Sequence, residues 1–120
     1  MQTSSRPPSL SSPVALSRED IVLQIRKVLS ELHIEIVHLV LFGSQARGDA
    51  TPQSDWDFVL VTPEVLPRST KKIVWQQVSR QLARSGCAID LMIKSLPEYE
   101  SDRKDKGKVT YYALREGVRI

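Results

Sequence analysis

The stretch from Leu41 to Val61 reads LFGSQARGDATPQSDWDFVLV. Two short apolar runs, Val37 to Phe42 and Asp57 to Val61, read as buried strands because they are brief, continuous and partly β-branched. Gly43-Ser44 ends the first run, and Asp55 and Asp57 stand at the mouth of the second. Carboxylates so close repel each other and are costly to bury. A fold built around these strands must therefore offer something that compensates the pair.

Strand side chains alternate faces, so Asp55 and Asp57 share one face, with Cα atoms about 6.6 Å apart, and Trp56 points to the other face, toward a core. A third acid, Asp90, lies inside the apolar run Cys87 to Ile93, a third buried strand. A lone carboxylate there costs several kcal/mol unless it is compensated. If the second and third strands are neighbours, Asp90 joins the pair. Taken singly, Asp55 reads as a turn cap and Asp90 as half of a buried ion pair with an arginine. Taken together, three carboxylates read as a site for divalent cations. Magnesium takes hard oxygen ligands, usually one or two carboxylates plus substrate phosphates. Paired ions about 3.5–4 Å apart serve displacement at phosphorus.

Gly43, after a strand and before a short helical turn through Arg47, lets backbone N–H groups approach a phosphate closely. Ser44 adds a hydroxyl and Arg47 a charge-assisted contact. By itself this is also the pattern of a plain turn. It is neither a P-loop nor a dinucleotide fingerprint.

The rest of the chain supplies a small α/β domain. Residues 1–16 are rich in Ser and Pro and read as a disordered tail; 17–120 read as one domain. Ser17 caps a helix over 18–32, with Asp20 completing the cap. Asp49 to Ser54 is a loop. Ser69 caps a helix over 70–84 ended by Ser85-Gly86. Pro97 to Lys108 reads as a charged, solvated segment, Val109 to Arg115 as a last helix and Val118 to Ile120 as a final short strand. The expected fold is α/β, a small mixed β-sheet flanked by helices. The 120 residues carry a net charge of +3, which suits an anionic small ligand and does not demand nucleic acid. The single cysteine, Cys87, gives no internal disulfide and reads as a small buried residue. No apolar stretch approaches a membrane span or a secretory signal, so a cytoplasmic location is expected. Tyr111 and Tyr112 read as packing residues or as acceptors of self-modification, and His38 as a satisfied strand histidine.

Gly43-Ser44, ten intervening residues and Asp55-Trp56-Asp57 spell GS-x10-DxD, with Ala46-Arg47-Gly48 inside and Asp90 in the later apolar strand. This pattern resembles the nucleotidyltransferase superfamily related to DNA polymerase beta. More narrowly it resembles the minimal nucleotidyltransferases that pair with HEPN-domain proteins as antitoxin and toxin. The resemblance covers residues 18 to 120. It implies the polymerase-beta-like nucleotidyltransferase fold and a magnesium-dependent transfer of a nucleotide from a triphosphate. Asp55, Asp57 and Asp90 would be catalytic and would hold two magnesium ions. Gly43, Ser44 and Arg47 would bind the nucleotide, ATP. The implied acceptor is a tyrosine of a HEPN-domain ribonuclease toxin in a hetero-oligomer, with no membrane and no direct nucleic-acid binding. Three other readings stand beside it. One is transfer to a small molecule such as an aminoglycoside, and one is neutralisation of a partner by contact alone. The third, extension of RNA ends, asks for a basic, aromatic-rich groove, whereas the chain has seven aromatic residues and its basic run from Arg103 to Lys108 is diluted by Asp105.

Overall fold

A computed structural model describes residues 17–51 and 53–120. The tail expected over 1–16, and Pro52 of the expected loop, lie outside the described residues. Helix α1 (Arg18–Glu31) starts at Ser17, whose hydroxyl accepts from the Asp20 N–H at 3.1 Å while the Asp20 carboxylate accepts from the Ser17 N–H. Strand β1 (His38–Phe42) leads through Gly43 into the one-turn helix α2 (Ser44–Arg47). Strand β2 (Trp56–Thr62), helix α3 (Arg68–Ala83) and strand β3 (Ile89–Ser95) follow. Helices α4 (Leu96–Asp102) and α5 (Val109–Glu116) and the short strand β4 (Val118–Arg119) complete the chain.

The strands form one mixed sheet in the order β3-β2-β1-β4. β1 runs antiparallel to β2 and β4, and β2 runs parallel to β3. Strand alternation sorts the side chains onto two faces. Leu39, Leu41, Phe58, Leu60 and Leu91 meet Ile21, Ile25 and Leu29 of α1 and Val74, Val78 and Leu82 of α3. On the opposite face Val40, Val59 and Val61 are covered by Tyr99 of α4 and Leu114 of α5. The apolar spacing within α1 and α3 is therefore the seam that covers one face of the sheet. Burial of each such side chain stabilises by about 1.5–3 kcal/mol.

Several boundaries differ from the sequence reading. The segment Pro97 to Lys108 is not uniformly solvated: its first part is α4. The signal is the tetrad Ser95-Leu96-Pro97-Glu98, a capping box with proline in the first turn, hidden among charges. The Ser95 hydroxyl accepts from the Glu98 N–H at 3.3 Å and the Glu98 carboxylate accepts from the Ser95 N–H at 2.8 Å. Tyr99 and Asp102 are then buried, while 103–108 is exposed throughout. α3 starts one residue earlier than its expected cap, with Pro67 rather than Ser69 at the N-cap. The third strand is shifted forward, from the expected 87–93 to Ile89–Ser95. This places Asp90 near the strand's start instead of in its middle.

Candidate active site

The register of the sheet decides what the carboxylates do. Trp56 donates its N–H to the Ala88 carbonyl at 2.9 Å, and from there Asp57 pairs with Asp90 as direct neighbours across β2 and β3. Neighbouring strands lie about 4.8 Å apart, so these two side chains leave adjacent positions on one face. Asp55 precedes Asp57 by two positions on that face. Across β2 on its other side, Asp57 pairs with Phe42, the last residue of β1, and Gly43 follows at once. The C-terminal end of β1 and the N-terminal ends of β2 and β3 thus meet at one end of the sheet, and all the candidate residues from Gly43 to Asp90 collect there. Trp56 goes to the opposite face and stacks on Phe58 with ring centroids 6.4 Å apart.

Asp57 is half-buried, while Asp55 and Asp90 are exposed. Burial pushes the Asp57 carboxyl above its ordinary value, the negative charges of Asp90 and Asp55 push it further, and Arg47 opposes them. Asp57 therefore senses both other acids at this end of the sheet. Asp90 was expected to be buried; it is exposed because it sits second in an edge strand, so only Asp57 carries a notable desolvation cost. The plainer readings of the other two acids find no support in the contacts. Asp90 has no ion-pair partner among the described residues. The turn before β2 is closed by Ser54, whose hydroxyl accepts from the Thr51 N–H at 2.8 Å, and Asp55 takes no part in it.

Gly43 is held with φ 75° and ψ −158°, a conformation that L side chains avoid. A Cβ on Gly43 would overlap the Asp57 carboxylate oxygen Oδ2 and lie 3.1 Å from its Cγ. The glycine backbone and the Asp57 carboxylate are packed face to face, which is why this position has no side chain. The Gly43 carbonyl accepts from the N–H groups of Ala46 and Arg47, each at 3.1 Å. That leaves the N–H groups of Ser44 and Gln45, at the start of α2, without a backbone acceptor in the turn. Arg47 was expected at the nucleotide. Its guanidinium contacts Asp49 at 3.3 Å and Glu116 of α5 at 3.8 Å, joining α2 to α5 while its charge reaches Asp57. Asp49 and Glu116 went unremarked in the sequence because nothing in their spacing from Arg47 signals a contact.

The donor set suits a hard divalent cation: exposed or half-buried carboxylates, two of which raise the proton affinity of the third, Asp57. Among the described residues no group of three acidic, histidine or cysteine side chains forms a ready-made cation cage. Magnesium does not ask for one, because it keeps waters and draws further oxygens from substrate phosphates. Elsewhere, burial pushes the half-buried Cys87 thiol up, away from a reactive thiolate. Among the described residues no helix is long and apolar enough to cross a membrane.

A mixed sheet of this order, helices on both faces and a glycine packed on an acidic strand end define the polymerase-beta-like nucleotidyltransferase fold. The model of the nucleotidyltransferase domain family matches residues 22–114, so the chain belongs to that family and is a nucleotidyltransferase. No curated protein matches the chain. Among solved structures, a toxin–antitoxin crystallised with AMP-PNP is similar at 19% identity and a TM-score of 0.56, over 81% of this chain and 69% of that one. Two crystal structures of MntA-HpeT toxin–antitoxin mutants are also similar. One has 20% identity and a TM-score of 0.56 over 88% of this chain and 72% of that one. The other has 16% identity and a TM-score of 0.53 over 81% and 69%.

Proposed function

We propose that this chain is the antitoxin of a toxin–antitoxin pair and transfers AMP from ATP to a tyrosine hydroxyl of a HEPN-domain ribonuclease. The observation that carries the chemistry is the pairing of Asp57 with Asp90 beside Gly43 at one end of the sheet. The acceptor rests on the resemblance of GS-x10-DxD to minimal nucleotidyltransferases and on the toxin–antitoxin neighbours, one of which holds an ATP analogue.

In this reading Asp55, Asp57 and Asp90 hold two magnesium ions. The ions supply Lewis-acid stabilisation of negative charge on the attacking and leaving oxygens. The chain's own residues do the rest. Gly43, by its missing side chain, lets the Asp57 carboxylate sit against the turn that would receive the triphosphate. Ser44 and the N–H groups of the first turn of α2 hold phosphate oxygens, and Arg47 holds α2 in place through Asp49 and Glu116. The tyrosine oxygen forms a bond to the α-phosphorus while the bond to the β-phosphate bridging oxygen breaks and pyrophosphate leaves. Asp90, exposed at the edge, takes the hydroxyl proton. Holding the two reactants in line accounts for much of the acceleration. A pure binding module would have no use for acids placed to repel one another, which favours catalysis over neutralisation by contact.

Retrieval of the tagged protein from its host, incubation with magnesium and ATP, and intact-mass measurement of the companion protein test the reading. AMP-sized additions that disappear with Asp55→Asn/Asp57→Asn are the expected result. A companion that binds and gains no mass would refute the transfer. Modification of a small molecule alone would move the acceptor to the aminoglycoside class.

A further inference from the structure

The sheet face that carries Asp57 holds a second feature, which the aspartates do not explain. A cleft of about 400 Å³ lies over Val40 between α4, α5 and β4. Its walls include Arg103, Arg115, Arg119, Tyr99 and Tyr111. Each of the three elements contributes one arginine: Arg103 at the end of α4, Arg115 in α5, and Arg119 in β4, where it pairs with Val40. No carboxylate is among the described residues lining the cleft. Arg103 contacts Glu100 at the rim at 3.2 Å and lies over the Tyr99 ring, 5.6 Å from its centroid. Arg115 and Arg119 have no carboxylate within ion-pair distance among the described residues. The field is felt beneath the cleft: His38, 5.1 Å from the Tyr99 ring, is held below its ordinary pKa by burial, then by Arg119, with Glu100 opposing and Arg103 adding to the depression.

Guanidinium groups do not shed their protons in proteins, so three of them facing one cavity repel one another until an anion enters. Their planar forks match phosphate oxygens in bidentate fashion, and guanidinium planes also stack on nucleobases. A volume of this size is that of a small-ligand site and not of a strand-long groove. We infer that the cleft of Arg103, Arg115 and Arg119 is a metal-independent binding site for a small nucleoside phosphate, separate from the aspartate end. Val40 and Phe42 lie on the same face two positions apart, about 6.6 Å along the strand. A ligand in the cleft is therefore a near neighbour of the Asp57 site without sharing its acids.

Calorimetric titration with adenosine 3′,5′-bisphosphate in EDTA tests this. Saturable binding is expected for the unaltered protein and for Asp55→Asn/Asp57→Asn. Binding of adenosine, and binding by Arg115→Gln/Arg119→Gln, is expected to be at least tenfold weaker. Circular dichroism checks that the arginine variant folds. If it does not, Arg115→Lys/Arg119→Lys keeps the charge, loses the fork and is expected to bind several-fold more weakly. The inference is overturned by absence of saturable binding, by loss of binding in the aspartate variant, or by indifference to both arginine variants. A 5′-phosphorylated oligonucleotide binding tenfold tighter than the bisphosphate would also overturn it, in favour of an RNA surface.

Discussion

Replacing Gly43 by alanine separates two consequences of one backbone position. The first is conformational: a φ of 75° with ψ −158° is essentially a glycine conformation, and holding an L residue there costs about 1–3 kcal/mol. For a domain of about this size each kcal/mol lowers Tm by roughly 4–8 °C, so a fall of at least about 4 °C is expected. The second is positional. The new Cβ overlaps Asp57 Oδ2, and the Asp57 Cγ is only 3.1 Å away, where ordinary contact begins at 3.4 Å. The carboxylate must swing aside to make room, and misplacement of a reacting group by about 1 Å costs on the order of a hundredfold in rate. Gly86→Ala is the control. Gly86 also has a positive φ, 78°, but a Cβ there meets nothing within 4 Å. It should lose stability to backbone strain and keep full transfer activity. The assay is differential scanning fluorimetry beside the initial rate of nucleotide incorporation at saturating ATP. Gly43→Ala with unchanged Tm and turnover within threefold of the parent would refute the packing of Gly43 on Asp57.

Other outcomes follow from the same contacts. The Asp57 carboxyl is raised above its unfolded value, so its ionisation destabilises the metal-free fold as pH rises through the ordinary aspartate range and beyond. Asp57→Asn should therefore raise Tm in EDTA at pH 7, with the gain vanishing below pH 3.8, while abolishing transfer; thermal melts across pH read this directly. Glu98 has the opposite sign. Its hydrogen bond from the Ser95 backbone holds it below 4.5, so its contribution is present above that pH and is lost as pH falls through its folded value. Glu98→Gln should flatten this part of the acid limb of the stability profile. Lys94 Nζ lies 3.2 Å from Asp102 Oδ2, within ion-pair distance but without hydrogen-bond alignment, and Asp102 is 6% exposed. Lys94→Met leaves that carboxylate buried and unpaired and should cost about 3 kcal/mol in urea unfolding.

Much of this architecture was legible in the chain because its signals are local. The apolar spacing of Ile21, Ile25 and Leu29 and the Ser17–Asp20 cap specify α1 without reference to anything distant. The alternation at Asp55, Trp56 and Asp57 foretells which side chain turns to the core and which two turn away. The juxtaposition of Asp57 and Asp90 was conditional on strand neighbours, and the β2–β3 register satisfied the condition. What escaped was nonlocal or masked by composition. α4 is short and charged, so its capping box carried less weight than the surrounding acids and bases. The strap from Arg47 to Glu116 joins positions far apart in the chain, and no periodicity announces it. The arginine cleft likewise needs three elements brought to one face before its residues belong together. Exposure of Asp90 depended on β3 being an edge strand, which only the strand order reveals.

The most direct test of the account is the phosphorus NMR spectrum of ATP incubated with this chain, its companion protein and magnesium. Cleavage between the α- and β-phosphates is the central claim. Pyrophosphate should appear in equal amount to AMP bound to the companion protein, and neither should form with Asp55→Asn/Asp57→Asn. ADP and inorganic phosphate as products, or pyrophosphate release that persists in the double variant, would contradict it.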